Sequence, residues 1–267
     1  MSDQSRRRTT FNEDATLYDQ VRPGYPAAVF DDIVAFADLP PTGRILEIGC
    51  GTGQATVPFA ERGFRIDCVE LGENMAAVAR RNLSAFPQVQ VFVRAFEEWH
   101  GEQAAYDLVT SATAFHWIDP AVRYRKAAAM LRLNGTLALF WHEHVHTNHD
   151  RGFFVQVQAF YERLGPEWAD PDFRLPHPDE LATPEKHAIE SSGLFGPVTV
   201  RRYVWEQQYD AESYIRVLNT YSDHRAMPVE QREWLFGSIR QFINEEFGGQ
   251  IIKGYTTMLY LARKHVF

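Results

Sequence analysis

Three glycines, Gly49, Gly51 and Gly53, follow the apolar run Ile45 to Ile48 in the stretch ILEIGCGTGQAT. Glycine loses more backbone freedom on folding than any other residue, so a cluster this dense calls for a sharp turn or a close approach to the backbone. Two carboxylates frame it. Glu47 precedes the first glycine by two positions, and Glu70 closes the next apolar run. A carboxylate at the end of a second strand can accept both hydrogen bonds of a ribose diol. A negative group at Glu47 is unwelcome beside a pyrophosphate but suits a ligand with a positively charged amine. The dinucleotide fingerprint G-x-G-x-x-G requires a third glycine where Gln54 stands, so it fails by one position. The ligand implied carries a ribose, a close backbone contact and an amino acid part. An NAD-dependent oxidoreductase stands as the alternative, with Gln54 and Glu47 against it.

Other residue types that could do chemistry lie further along. His116-Trp117 follows the fourth strand; His116 reads either as a group facing the reacting centre or as a histidine packed against a lid, and Trp117 as a substrate contact. The run His142, His144, His146, His149 has no carboxylate spacing that suits a metal, so no metal site is assigned. One of these histidines, His142, is a second candidate general base. Trp205, Tyr221 and His224 are candidate substrate contacts, set against packing within a cap. Tyr18, Arg22 and Tyr25 form an N-terminal cluster, and Arg22 could pair with a ligand carboxylate. Cys50 and Cys68 are too few for a disulfide framework, and Cys50 has no evident activating base.

The elements that must position these groups alternate. Strands are expected at 44–48, 65–71, 89–94, 106–111 and 136–142, with helices at 26–37, 54–62, 73–86 and 120–131 between and around them. That order argues for right-handed βαβ units and a parallel sheet. Beyond Trp141 the pattern changes. Helices are expected at 151–164, 178–192, 211–222 and 229–247, and strands at 198–208 and 256–264. The segment before Tyr25 reads as polar and irregular.

EIGCGTG followed by VELGENM resembles the class I S-adenosylmethionine-dependent methyltransferases, in the large branch often called methyltransferase type 11. YDQVRPGYP, AFHWID, TYSDHR and YTTMLYLARK are similar to a small-molecule subset of that branch. The resemblance covers most of the chain. It implies an α/β, Rossmann-like, seven-stranded, mostly parallel sheet of order 3-2-1-4-5-7-6, the last strand antiparallel, with helices on both faces and a helical cap. The implied division is an N-terminal cap segment at 1–39, a core at 40–145 and 193–267, and cap insertions at 146–192 and 209–255. The implied cofactor is S-adenosyl-L-methionine, leaving as S-adenosyl-L-homocysteine. Gly49, Gly51 and Gly53 would line its methionine part, Glu47 would orient the loop and the amine, and Glu70 would hold the ribose. Leu71 would pack on the adenine, and Ala112 and Thr113 would sit under the methionine end. Tyr18 would contact the methionine part and Arg22 its carboxylate. The family's acidic residue near the adenine amino group falls at Ala95, so the backbone of Phe96, with Glu97 second, takes that contact. The activity implied is methyl transfer to a small molecule through an oxygen, carboxyl or nitrogen nucleophile, or non-catalytic binding of the cofactor. A small carboxylic acid and a natural-product hydroxyl are equally open as acceptors.

The 267 residues are 45% hydrophobic and 23% charged with a formal net charge of -8, which suits a globular chain and argues against a dedicated nucleic-acid binder. Arg6-Arg7-Arg8 reads as a solvated tail. No secretory signal or membrane-spanning stretch is evident, so a cytoplasmic location and no membrane partner are expected. Oligomeric state is not legible.

Overall fold

The computed structural model describes residues 11–265, apart from 166, 169 and 171, so the Arg6 to Arg8 cluster lies outside the described residues. Seven strands form one sheet: β1 (Arg44–Ile48), β2 (Arg65–Glu70), β3 (Val89–Val93), β4 (Tyr106–Ala112), β5 (Leu131–Val145), β6 (Thr199–Asp210) and β7 (Gln250–Arg263). Their order is β3-β2-β1-β4-β5-β7-β6. The first five pair in parallel, and β7 runs antiparallel to both β5 and β6, as expected. β1 is central and buried on both faces because helices cover both sides of a parallel sheet. After β3 the chain crosses back to lay β4 against β1, which puts the topological switch point at the β1 carboxyl end.

The helices are α1 (Ala15–Val21), α2 (Ala27–Ala37), α3 (Thr56–Glu61), α4 (Glu73–Asn82), α5 (Arg123–Met130), α6 (Phe153–Gln156), α7 (Gln158–Leu164), α8 (Pro184–Ser191), α9 (Ala211–Leu218), α10 (Ser222–Ala226) and α11 (Val229–Glu246). One face of the sheet packs on α2, α3 and α4 through Phe30, Ile33, Phe59 and Ala79. The other packs on α5 and α8 through Ala127, Met130 and Ile189. A third core joins α6, α9 and α11 to the ends of β6 and β7, through Phe153, Leu235, Ile239, Tyr209 and Tyr255.

Several expectations change. The segment before Tyr25 is not irregular, because Asp14 caps α1 by accepting from the Leu17 amide (3.0 Å). The final strand starts at Gln250, six residues before 256, because β6 pairs with it as far as Asp210↔Gln250. Likewise β5 continues past 142 to Val145, paired with Gly254. Helices α6, α9 and α11 therefore stand on a three-stranded extension of the sheet, and residues 250–255 of the expected 209–255 insertion belong to β7. β5 also begins early, at Leu131, and its register with β4 jumps between Tyr106↔Leu131 and Leu108↔Thr136.

Candidate active site

A cleft opens where β1, β2 and β4 end. The Gly49 amide donates to the Val69 carbonyl (2.8 Å), and Gly53 donates to Cys50 (2.9 Å), which folds the loop tightly before α3. Gly49 has φ 71°, and a Cβ there would come within 2.5 Å of the Ala114 Cβ, so no side chain fits. Glu70 fixes the far side of the loop. Its carboxylate accepts from the amides of Gly51 (2.9 Å) and Gly72 (2.7 Å). Thr113, at the end of β4, is held at φ 53°, which is unusual for a β-branched residue. The Tyr25 hydroxyl (2.8 Å) and the Phe140 carbonyl hold it there. Strain of this kind concentrates at functional sites.

Of the residues expected at a cofactor, Gly49, Gly51, Glu70 and Leu71 line the cleft. Phe96 lines it from beyond β3, Ala112 and Thr113 from the end of β4, and Tyr18 and Arg22 from the N-terminal segment. Four others do not reach its wall. Glu47 is buried behind the loop, where burial pushes its carboxyl up to about 7 against the opposing pull of Thr56 and with a further push from Glu70. Gly53 packs on α4, and a Cβ there would sit 3.2 Å from Leu83. Ala95 offers its carbonyl to the Glu98 and Trp99 amides. The Glu97 carboxylate accepts from the Asp119 amide (3.2 Å), away from the cleft.

The N-terminal segment is tied over this cleft by three amide side chains. Asn12 Oδ1 accepts from the Asn74 amide (2.7 Å) and so caps α4 from outside its own helix. Gln54, which fails the dinucleotide pattern, donates to the carbonyls of Asp19 (3.3 Å) and Arg22 (3.2 Å). Asn82 donates to Asp19 (2.8 Å) and to the Thr52 carbonyl (2.9 Å). Asn12 and Arg94 line the cleft and were not anticipated. Arg94 directly follows β3, so the rule that strand ends carry ligand contacts could have found it; no sequence pattern marks Asn12.

The histidines separate into different roles. His116 lines the cleft, and its Nδ1 accepts from the Trp141 indole (3.1 Å). The neutral ring therefore carries its proton on Nε2, which makes it a donor there and not a base. Burial, then Arg123, lowers its pKa and keeps it neutral. His142 lines no cavity: Nδ1 meets Thr257 Oγ1 (3.0 Å), the ring stacks on Tyr25, and burial lowers its pKa to about 3. Its expected role as a base is thus corrected to packing. His146 pairs with Asp150 and His149 with Glu206. Trp205 is also corrected to packing, since it stacks on Tyr255 and donates to Thr257 (3.0 Å). Trp117 lines the cleft. The pKa of the free Cys50 thiol is raised by its hydrogen bond with Cys68 and by burial, as an inert thiol should be.

A second cavity, of about 600 Å³, opens inside the cap. Tyr221 and His224 line it, together with His144, Tyr161 and Lys253. Arg22 lines both cavities.

Residues 45–135 match the family described as "Methyltransferase domain". The chain is 28% identical to an uncharacterized methyltransferase of Mycobacterium tuberculosis, over 75% of this chain and 77% of the relative. Residues 45–135 thus carry a methyltransferase domain. The fold is also that of the YcgJ protein of Bacillus subtilis, with TM-score 0.55, 16% identity, and 91% of this chain and all (100%) of the other covered. A phosphoethanolamine N-methyltransferase of Haemonchus contortus, solved with phosphomonomethylethanolamine and S-adenosylhomocysteine, is similar at TM-score 0.53 and 16% identity, over 96% of this chain and 58% of that one. The cradle fits S-adenosylmethionine, the cofactor the sequence resemblance implies: a side-chain-free loop beside a carboxylate oriented by two backbone amides.

Proposed function

We propose that this protein methylates a small-molecule acceptor by direct in-line displacement. The observation that carries the reading is the cleft beyond the strand ends, lined by Glu70, His116 and Arg22. Bound there, S-adenosylmethionine supplies a methyl carbon activated by a sulfonium. The chain's own work is positioning. Glu70 holds the ribose, the glycine loop admits the methionine part, and Tyr18 and Arg22 close over its carboxylate. The tied-down N-terminal segment excludes water, which would compete as acceptor. Holding a nucleophile about 3 Å from the methyl carbon and in line with the sulfur can supply much of the rate enhancement. His116 offers its Nε2 proton to the acceptor and orients it. With no histidine poised as a base, the reading favours an acceptor that is already nucleophilic. The segments 1–39, 146–192 and 209–255 act in it as the cap, on the core 40–145 and 193–267.

Calorimetric titration with S-adenosylhomocysteine tests this. Micromolar or tighter binding is expected; neither heat nor a thermal shift would reject it.

A further inference from the structure

The cap cavity holds a buried cation to which no carboxylate is directly bonded among the described residues, Asp223 acting on it only from a distance. Lys253 is 2% exposed and lines the cavity. Its ammonium donates to the Tyr221 hydroxyl (3.0 Å) and faces the rings of Phe154, Tyr214, Tyr221 and Tyr255 at 5.3–5.8 Å. Among the described residues no carboxylate pairs with it. Ring faces and one hydroxyl compensate only part of the cost of burying an ammonium, which is normally paired. Arg22 adds a second cation at the mouth shared with the cleft, 4.4 Å from the Tyr221 ring centroid, and its Nε has no partner. The two carboxylates on the cavity wall are engaged elsewhere. Asp223 accepts from the amide (2.7 Å) and Nδ1 (2.8 Å) of His224, and Asp170 accepts from the Asp172 amide (3.1 Å). A chain of net charge -8 thus sets two cations, beside Asp170 and Asp223, on the wall of one cavity.

We infer that the cap cavity is an anion subsite: Lys253 anchors a carboxylate or phosphate group of the acceptor, remote from the atom that is methylated. The inference names the acceptor class for the site proposed above and rests on that reading. The acceptor is a small organic anion long enough to run from Lys253 past Arg22 to the cleft. Tyr161 and Tyr221 give its body an aromatic wall.

The test is calorimetry in saturating S-adenosylhomocysteine with adipate, its neutral isostere adipamide, and n-butyl phosphate. An anion held by charge-assisted bonds should bind at least about tenfold tighter than adipamide. Lys253→Met should bring the preference within about twofold while leaving S-adenosylhomocysteine affinity unchanged, which also shows that the variant is folded. Adipate tighter than n-butyl phosphate assigns a carboxylate, and the reverse order a phosphate. The inference is overturned if neither anion outbinds adipamide in the wild type, or if Lys253→Met binds the anions as the wild type does. The adipate–adipamide contrast stands whether or not the variant folds. Anion binding without any S-adenosylhomocysteine binding would retain the subsite and remove the methyltransferase reading instead.

Discussion

The cleft and the cap cavity meet at Arg22 but are built in opposite ways. The cleft wall comes largely from the ends of neighbouring strands and one glycine loop, and its charged group, Glu70, is oriented by backbone amides. The cap cavity draws on Arg22, His144, Tyr161, Tyr221 and Lys253, which are far apart in the chain, and its charged group is caged by aromatic rings. Backbone amides stabilise a carboxylate whether or not a ligand is bound. An ammonium among rings is left under-compensated until a ligand supplies a negative charge. On the proposed reading, the first site is preformed for its cofactor and the second is completed by its occupant.

The largest test of this contrast is Glu70→Ala. It removes the acceptor for two loop amides and for the ribose, and with about 1.5–3 kcal/mol for each charge-assisted bond, S-adenosylhomocysteine should bind at least about 100-fold more weakly in calorimetry. Glu47→Gln should act in the opposite sense, on stability. The Glu47 pKa is raised to about 7, so its contribution is present below the usual carboxylate range and is lost as pH rises through 7. The variant should be more stable than wild type by up to roughly 3 kcal/mol at pH 8, with little difference at pH 4.5, in denaturant melts. Gly49→Ala places a Cβ at positive φ against Ala114; strain and overlap together should cost roughly 3 kcal/mol, or about 6–10 °C in Tm.

The cap should respond differently. Lys253→Met removes an unpaired buried charge from an aromatic cage and should raise Tm, by about 1–2 kcal/mol of stability, even as anion binding is lost. A fall in Tm would mean that Lys253 holds the cap together by itself. The smallest effect concerns the platform between the two sites. The His142 pKa is lowered to about 3, so the unfolded chain binds the extra proton below about 6.5 and stability declines as pH falls through that window. His142→Phe should reduce the acid-side slope by up to about 1.4 kcal/mol per pH unit, measured as the midpoint of urea unfolding against pH.

The glycine loop, Glu70 and Leu71 were legible in the sequence because the loop is made by contiguous residues and strand ends lie where the apolar runs stop. Glu47 was legible as a carboxylate but not as one sealed behind the loop, since burial depends on what packs over it. The functions of Gln54 and Asn12 were not legible, because each contacts a segment distant in the chain. His116 illustrates the same limit at a single atom. Its place after the fourth strand followed from the sequence, but the proton on Nε2 follows from Trp141, on the neighbouring strand.

By itself, then, the sequence determined the alternating strands and helices and the tight glycine loop, since periodicity and glycine placement act over a few residues; the order of the sheet and the cofactor were implied by the resemblance. The tertiary structure alone decided how the N-terminal segment closes the cleft, which histidines face it, and that Lys253 points into the cap. Lys253 shares a β7 face with Ile251 and Tyr255, and only the pairing with β6 turns that face toward the cap core. A lone lysine in an apolar stretch carries no mark of its partners; its meaning comes from rings and a second cation that pairing between distant strands brings together.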